Sequence, residues 1–230
     1  DYALAADLSE DYNAATFHSK VWIRNKAGNK SEHFRMEVLL KGEDRNGKPV
    51  EQRMIRQMPS IATNATDSIL LSCRIENPRL WSAEKPYLYD VTLNLHDKNG
   101  LVESFDYHLG IRKIEITGEV FRINGQPVKL KGVNRHEHHP RTGRYVDETT
   151  LKKDIRLMKQ ANINMVRTSH YPHSPLFYEL CDTYGLYVMD EANHETHGFG
   201  IGNKQLGDNP EWTRAHVDRA VSLVQRDKNH

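Results

Sequence analysis

Three stretches of this 230-residue chain gather side chains that can move protons, hold cations or hydrogen-bond hydroxyl groups. They are Asn134-Arg135-His136-Glu137-His138-His139-Pro140, Arg167-Thr168-Ser169-His170-Tyr171-Pro172 and Asp190-Glu191-Ala192-Asn193-His194-Glu195-Thr196-His197-Gly198. More than half of the 13 histidines lie between positions 136 and 197. An imidazole donates or accepts a hydrogen bond according to its tautomer, so it can serve a hydroxyl in either sense. A carboxylate suits a hard cation, whereas imidazole is an unusual ligand for one. The trio His136, His138 and His139 also admits a zinc reading. Any one of these clusters alone is more readily a solvated loop than a site. Three of them at equivalent places in a fold point to chemistry.

The elements that must hold them follow from periodicity. From about Ala15 to Gly110 apolar and polar residues alternate, as Val91, Leu93 and Leu95 do with Thr92, Asn94 and His96, which a half-buried strand requires. About six strands are expected, over residues 16–24, 33–41, 49–57, 68–75, 87–96 and 101–109, with Asn46-Gly47 and Asn99-Gly100 closing hairpins. That count suits an immunoglobulin-like β-sandwich. Beyond Ile111 strand and helix alternate, the signature of βαβ units around a parallel sheet. The domains are therefore expected to span residues 1–113 and 114–230.

In the second half a hairpin around Asn124-Gly125 leads into an expected buried strand over residues 128–133. A helix over about 148–161 carries Leu151, Ile155 and Met158 on one face. A strand over 164–169 follows, then a helix opened by Ser174-Pro175 and ended by Gly185, a strand over 186–190, and a helix opened by Asn209-Pro210 with a stripe of Val217, Ala220, Val221 and Val224. The three polar clusters fall at the C-terminal ends of the three strands, where loops of parallel α/β folds converge on one face. Three strand-helix units are too few to close a barrel of eight.

Placed this way, residues 132–140, 167–172 and 190–198 resemble the signature stretches of family 2 glycoside hydrolases of the β-galactosidase type. Trp81-Ser82-Ala83-Glu84 with Pro86 resembles a segment of the sandwich domain that precedes their catalytic barrel. The resemblance spans nearly the whole chain and implies an immunoglobulin-like domain followed by the first three βα units of a (β/α)8 TIM barrel. It implies that His136 and His170 hydrogen-bond sugar hydroxyls and steady the transition state. Arg167 matches a position near the nucleophile, where a cation keeps a carboxylate ionised. Glu195 and His197 match magnesium ligands whose third protein partner is the acid/base glutamate. That glutamate and the nucleophile match no residue of this chain and are expected beyond His230. Glu137, His138 and His139 are read as scaffold, and Asp190, Glu191 and Asn193 as residues that orient the metal ligands from behind.

The activity implied is retaining hydrolysis of terminal non-reducing β-D-galactose residues, through a covalent glycosyl-enzyme formed between two carboxyl groups about 5 Å apart. This chain by itself is expected to be inactive. Within the family β-glucuronidase and β-mannosidase are the rivals; from other classes, a non-catalytic carbohydrate-binding module and a metal-binding protein. Lys and Arg number 32 against 31 Asp and Glu, so the net charge of +1 gives no reason to expect nucleic acid or a membrane as partner. No stretch approaches the roughly 20 apolar residues of a membrane span. The expected partners are a β-galactoside, the remainder of the barrel or another copy of the chain, with a homo-oligomer in the intact protein. Cys73 and Cys181 lie far apart in unlike surroundings, which argues against a disulfide framework and leaves the compartment open. The start at Asp1 without Met and the end at His230 are expected to be cuts from something longer.

Overall fold

A computed structural model describes residues 1–199 and 206–230, which form two compact units, one of Asp1–Val128 and one of Lys129–Lys228. In the first, seven strands build a sandwich: β1 (Tyr2–Leu8), β2 (Ala14–Arg24), β3 (Phe34–Glu43), β4 (Pro49–Met58), β5 (Thr66–Glu76), β6 (Tyr89–Asp97) and β7 (Gly100–Leu109). Their order is β1-β2-β5 in one sheet and β4-β3-β6-β7 in the other, all antiparallel. The register sets Met36, Val38 and Leu40 opposite Leu95, Leu93 and Val91, and these inward residues are buried with Phe17, Val21, Ile69, Leu71 and Ile75 from the facing sheet. This is the packing of an immunoglobulin-like sandwich.

The count of six strands is corrected to seven. β1 does alternate, with Tyr2, Leu4, Ala6 and Leu8 on one side and Leu4 only 4% exposed. Its outward positions Ala3 and Ala5 are themselves apolar, which hides the period. A further small sheet follows, β8 (Ile114–Thr117), β9 (Val120–Ile123) and β10 (Gln126–Pro127), in the order β10-β9-β8. Asn124 and Gly125 turn the last hairpin at φ of 52° and 74°, the left-handed pair that a two-residue loop of this kind demands.

The second unit alternates as expected: β11 (Gly132–Arg135), α1 (Glu148–Gln160), β12 (Met165–Thr168), α2 (Pro175–Tyr184), β13 (Tyr187–Met189) and α3 (Thr213–Asp227). The strands are parallel in the order β11-β12-β13. Leu151, Ile155 and Met158 of α1 pack with Val166 of β12 and with Phe177, Leu180 and Cys181 of α2. Asp147 caps α1 by accepting from the Thr150 amide at 2.8 Å. Gly185 ends α2 in the left-handed region, at φ 79°.

Two expectations are corrected here. The buried strand over 128–133 shrinks to Gly132–Arg135, and Val133 is 37% exposed. Before Gly132 a side chain takes part of the backbone: Asn164 accepts from the Lys131 amide at 2.7 Å and donates to the Lys129 carbonyl at 3.1 Å, while the Lys131 carbonyl still accepts from the Asn164 and Met165 amides. Asn209-Pro210 opens a 3₁₀ turn, Pro210–Trp212, and α3 starts only at Thr213. The α3 stripe is in the open, with Val217, Val221 and Val224 all more than half exposed.

Candidate functional site

All three polar clusters sit at or just past the C-terminal ends of the parallel strands, and the registers Asn134↔Arg167 and Arg167↔Met189 bring those ends side by side. Arg135, the last residue of β11, turns inward at 8% exposure, its Nε donating to Asp154 at 3.0 Å, its Nη1 to His173 Nδ1 at 3.1 Å, and its guanidinium 4.5 Å from the Phe177 ring centre. Burial and the neighbouring Arg135 charge push His173 down to about 4, so at neutral pH this imidazole is uncharged and accepts from the arginine. Glu137 then ties two loops together. Its amide donates to Tyr171 Oη at 3.1 Å, and its carboxylate accepts from the Ser174 amide and hydroxyl at 3.1 and 3.2 Å. Ser174 therefore occupies the N-cap position of α2 with its hydroxyl turned to Glu137 instead of to the helix.

This scaffold places the His136 and His170 rings 5.4 Å apart, edge to face. The Ser169–His170 peptide is cis. Glu191 divides its two oxygens between Arg167 Nε at 2.7 Å and His170 Nδ1 at 2.9 Å. Burial acts to raise the Glu191 carboxyl, but the hydrogen bonds and charges of His170 and Arg167 outweigh it and hold the group below its usual range. A carboxylate partner makes Nδ1 the donor, which leaves His170 Nε2 for a ligand. Asp190, expected to orient the metal ligands from behind, accepts from Thr168 Oγ1 at 3.0 Å and Tyr178 Oη at 2.7 Å. Glu191 likewise serves Arg167 and His170.

Glu195 and His197 meet without an extended segment. A 3₁₀ turn begins at His197, whose amide donates to Glu195 Oε1 at 3.1 Å, and the same oxygen lies 3.2 Å from His197 Nδ1. Glu195 Oε2 stands 3.8 Å from His170 Nδ1, so the pair adjoins the histidine cluster. The donors fit a divalent cation in part: one carboxylate and one imidazole are adjacent and open to water. Among the described residues no three His, Cys, Asp or Glu side chains converge as a metal site. The zinc trio is likewise not assembled, and His139 Nδ1 is occupied by the Arg141 and Thr142 amides and the Thr142 hydroxyl.

Sequence reasoning missed Asp154, His173 and Tyr178, which hold the clusters from below. The inward phase of α2 could have marked Tyr178, whereas His173 lies in a loop and Asp154 on a partly exposed side of α1, where no periodic signal marks them. It also missed the stacking of His194 on His216 of α3, with ring centres 4.9 Å apart.

Comparison with known proteins adds to this geometry. Residues 1–112 match the family described as Glycosyl hydrolases family 2, and residues 114–230 match Glycosyl hydrolases family 2, TIM barrel domain. A β-galactosidase of Yersinia enterocolitica is 51% identical over 166 residues, 72% of this chain and 16% of that protein. A β-galactosidase of Vibrio cholerae is 39% identical across 100% of this chain, which covers 22% of it. Among solved structures, β-glucuronidase of Ruminococcus gnavus superposes with a TM-score of 0.75 at 26% identity, over 100% of this chain and 35% of that one. The chain thus spans about a fifth of the length of the curated relatives it matches.

Proposed function

Because the chain belongs to glycosyl hydrolases family 2, with an immunoglobulin-like domain and part of the TIM barrel, we propose that it is the portion of a retaining β-galactosidase that holds the non-reducing galactose. The observation that carries this is the pair His136 and His170 at adjacent strand ends, with His170 fixed through Nδ1 by Glu191. Two imidazoles at such a distance can hydrogen-bond neighbouring hydroxyls of one sugar ring, and they gain strength as the ring charges toward an oxocarbenium-like transition state. Arg167 belongs close to the place of the nucleophilic carboxylate, with its charge shared with Glu191 at 2.7 Å. Glu195 and His197 would hold a magnesium ion, whose charge would steady carboxylates at the edge of the sugar site. The acid/base and the nucleophile come from residues other than these 230.

The β-glucuronidase reading has support in the fold likeness to the R. gnavus enzyme. The β-galactosidase relatives, at 51% and 39% identity, favour a neutral sugar.

The test is a chromogenic assay of the intact protein containing this chain, on a β-galactoside and a β-glucuronide, before and after chelation. Galactoside hydrolysis that falls on chelation and returns with Mg²⁺, with no hydrolysis by the 230-residue chain alone, is the expected outcome. Preference for the glucuronide, or turnover that stays with the isolated chain and is lost on His170→Ala, would overturn the reading.

A further inference from the structure

The sandwich has a recess of its own, of about 490 Å³, lined by Arg45, Arg79, Leu80, Lys85, Pro86 and Tyr87. Two stretches of chain build it, the turn that follows β3 and the connection from β5 to β6. Hydrogen bonds stitch them together. The Arg45 amide donates to the Asn77 carbonyl at 2.7 Å, the Arg79 amide donates to Tyr89 Oη at 2.8 Å, and that hydroxyl donates in turn to the Glu43 carbonyl at 2.9 Å. Tyr89 is wholly buried and meets the Tyr87 ring edge to face, with ring centres 5.1 Å apart. Gly42 lets both tyrosines close on β3, because a side chain there would strike their rings. The wall of the recess is therefore set by packing before any ligand arrives.

Three cations stand on this wall with donors to spare. The Arg79 guanidinium lies 4.1 Å from the Tyr87 ring centre and gives Nη1 to Glu43 at 2.7 Å. Arg45 gives Nη2 to the Tyr12 carbonyl at 2.6 Å and Nη1 to Asn13 Oδ1 at 3.4 Å. A guanidinium carries five N–H donors, so each arginine keeps some for a ligand. Among the described residues neither Arg45 nor Lys85 is paired with a carboxylate. The other acid of the turn, Asp44, is buried, its Oδ1 accepting from the Asn46 and Lys48 amides at 2.8 Å each. Even with Glu43 and Asp44 both counted, positive charge is in excess. We propose that this recess is a binding site for a phosphate or sulfate group, held by Arg45, Arg79 and Lys85. Oxyanions accept charge-assisted hydrogen bonds from such a set, and a guanidinium fork matches their geometry. The recess has the size of a small-molecule site, more than a bare oxyanion fills, and Leu80 and Pro86 offer apolar surface to whatever carries the group.

This site does not depend on the galactosidase reading, and calorimetric titration of the intact protein tests it with inorganic phosphate, glucose 6-phosphate and glucose. Glucose 6-phosphate should bind, glucose should not, and the affinity should fall as salt rises from about 0.05 to about 0.5 M. Arg45→Gln and Lys85→Gln, both at exposed positions, should each weaken binding by about threefold to tenfold. Glu43→Gln should act in the opposite sense and tighten it, because the carboxylate that competes for Arg79 is gone. Tighter binding of the ester than of inorganic phosphate supports an organic ligand, and equal binding supports the free ion, each within the proposal. No phosphate binding at the lower salt, or binding that all three substitutions leave unmoved, overturns it.

Discussion

Arg135 and His173 show how a residue pair can be placed by burial rather than by reactivity. His173 is 1% exposed and held uncharged, down to about 4, by burial and by the guanidinium that donates to its Nδ1. Its unfolded-state value is the ordinary one of about 6.5. The sign follows: above 6.5 neither state binds the proton, whereas between 6.5 and 4 the unfolded chain binds it and the folded chain does not. The stability this residue confers is therefore complete at neutral pH and is lost as pH falls through that window, reaching a few kcal/mol at most. Urea denaturation at about pH 4.5 and about pH 7.5 should show a smaller acid-induced loss in His173→Gln than in wild type. An identical loss in both would mean that His173 is protonated in the folded state.

Helices α1 and α3 have similar amphipathic patterns and opposite fates. Ile155 of α1 has no exposed surface and packs with Val166 and Phe177, whereas Val221 of α3 is 51% exposed. Truncating Ile155 to Ala leaves a cavity and should cost about 2–5 kcal/mol in chemical denaturation. Val221→Ser should stay within about 0.5 kcal/mol in the same chain. Comparable losses at both positions would show that the α3 stripe is covered in solution. The apolar stripes of both helices were legible because a period of 3.6 is a local property. Which stripe finds a partner was not, because a helix carries no record of what lies against it.

The two units differ in how completely they cover their own cores. The sandwich closes its apolar faces on each other, while the parallel sheet ends in two edge strands, β11 and β13, with Val133 and Met189 37% and 49% exposed. Together with the α3 stripe this leaves apolar surface that, at ~25 cal/mol per Å² over a few hundred Å², forfeits several kcal/mol. Edge strands with free backbone groups also recruit partners. Hydrogen exchange on the chain in dilute solution should therefore show strong protection in β2, β3 and β6 and weak protection in β12 and β13. Firm protection of β12 and β13 in a monomer would show that this part of the barrel is stable alone.

Alternation, turn residues and caps placed six of seven sandwich strands and all three strand-helix units, because φ/ψ preference and side-chain period act over a few residues. The clusters around His136, His170 and Glu195 were visible too, because three polar stretches recur at equivalent strand ends, where the loops of a parallel α/β fold converge. What the sequence could not assign was partnership. Glu191 stood beside the expected metal ligands and turned out to bind Arg167 and His170, 24 and 21 positions back along the chain. Asn164 took the Lys129 carbonyl and the Lys131 amide, just before a strand shorter than its own residues favoured. Such pairings depend on the register between strands distant in sequence, and only the folded sheet sets that register.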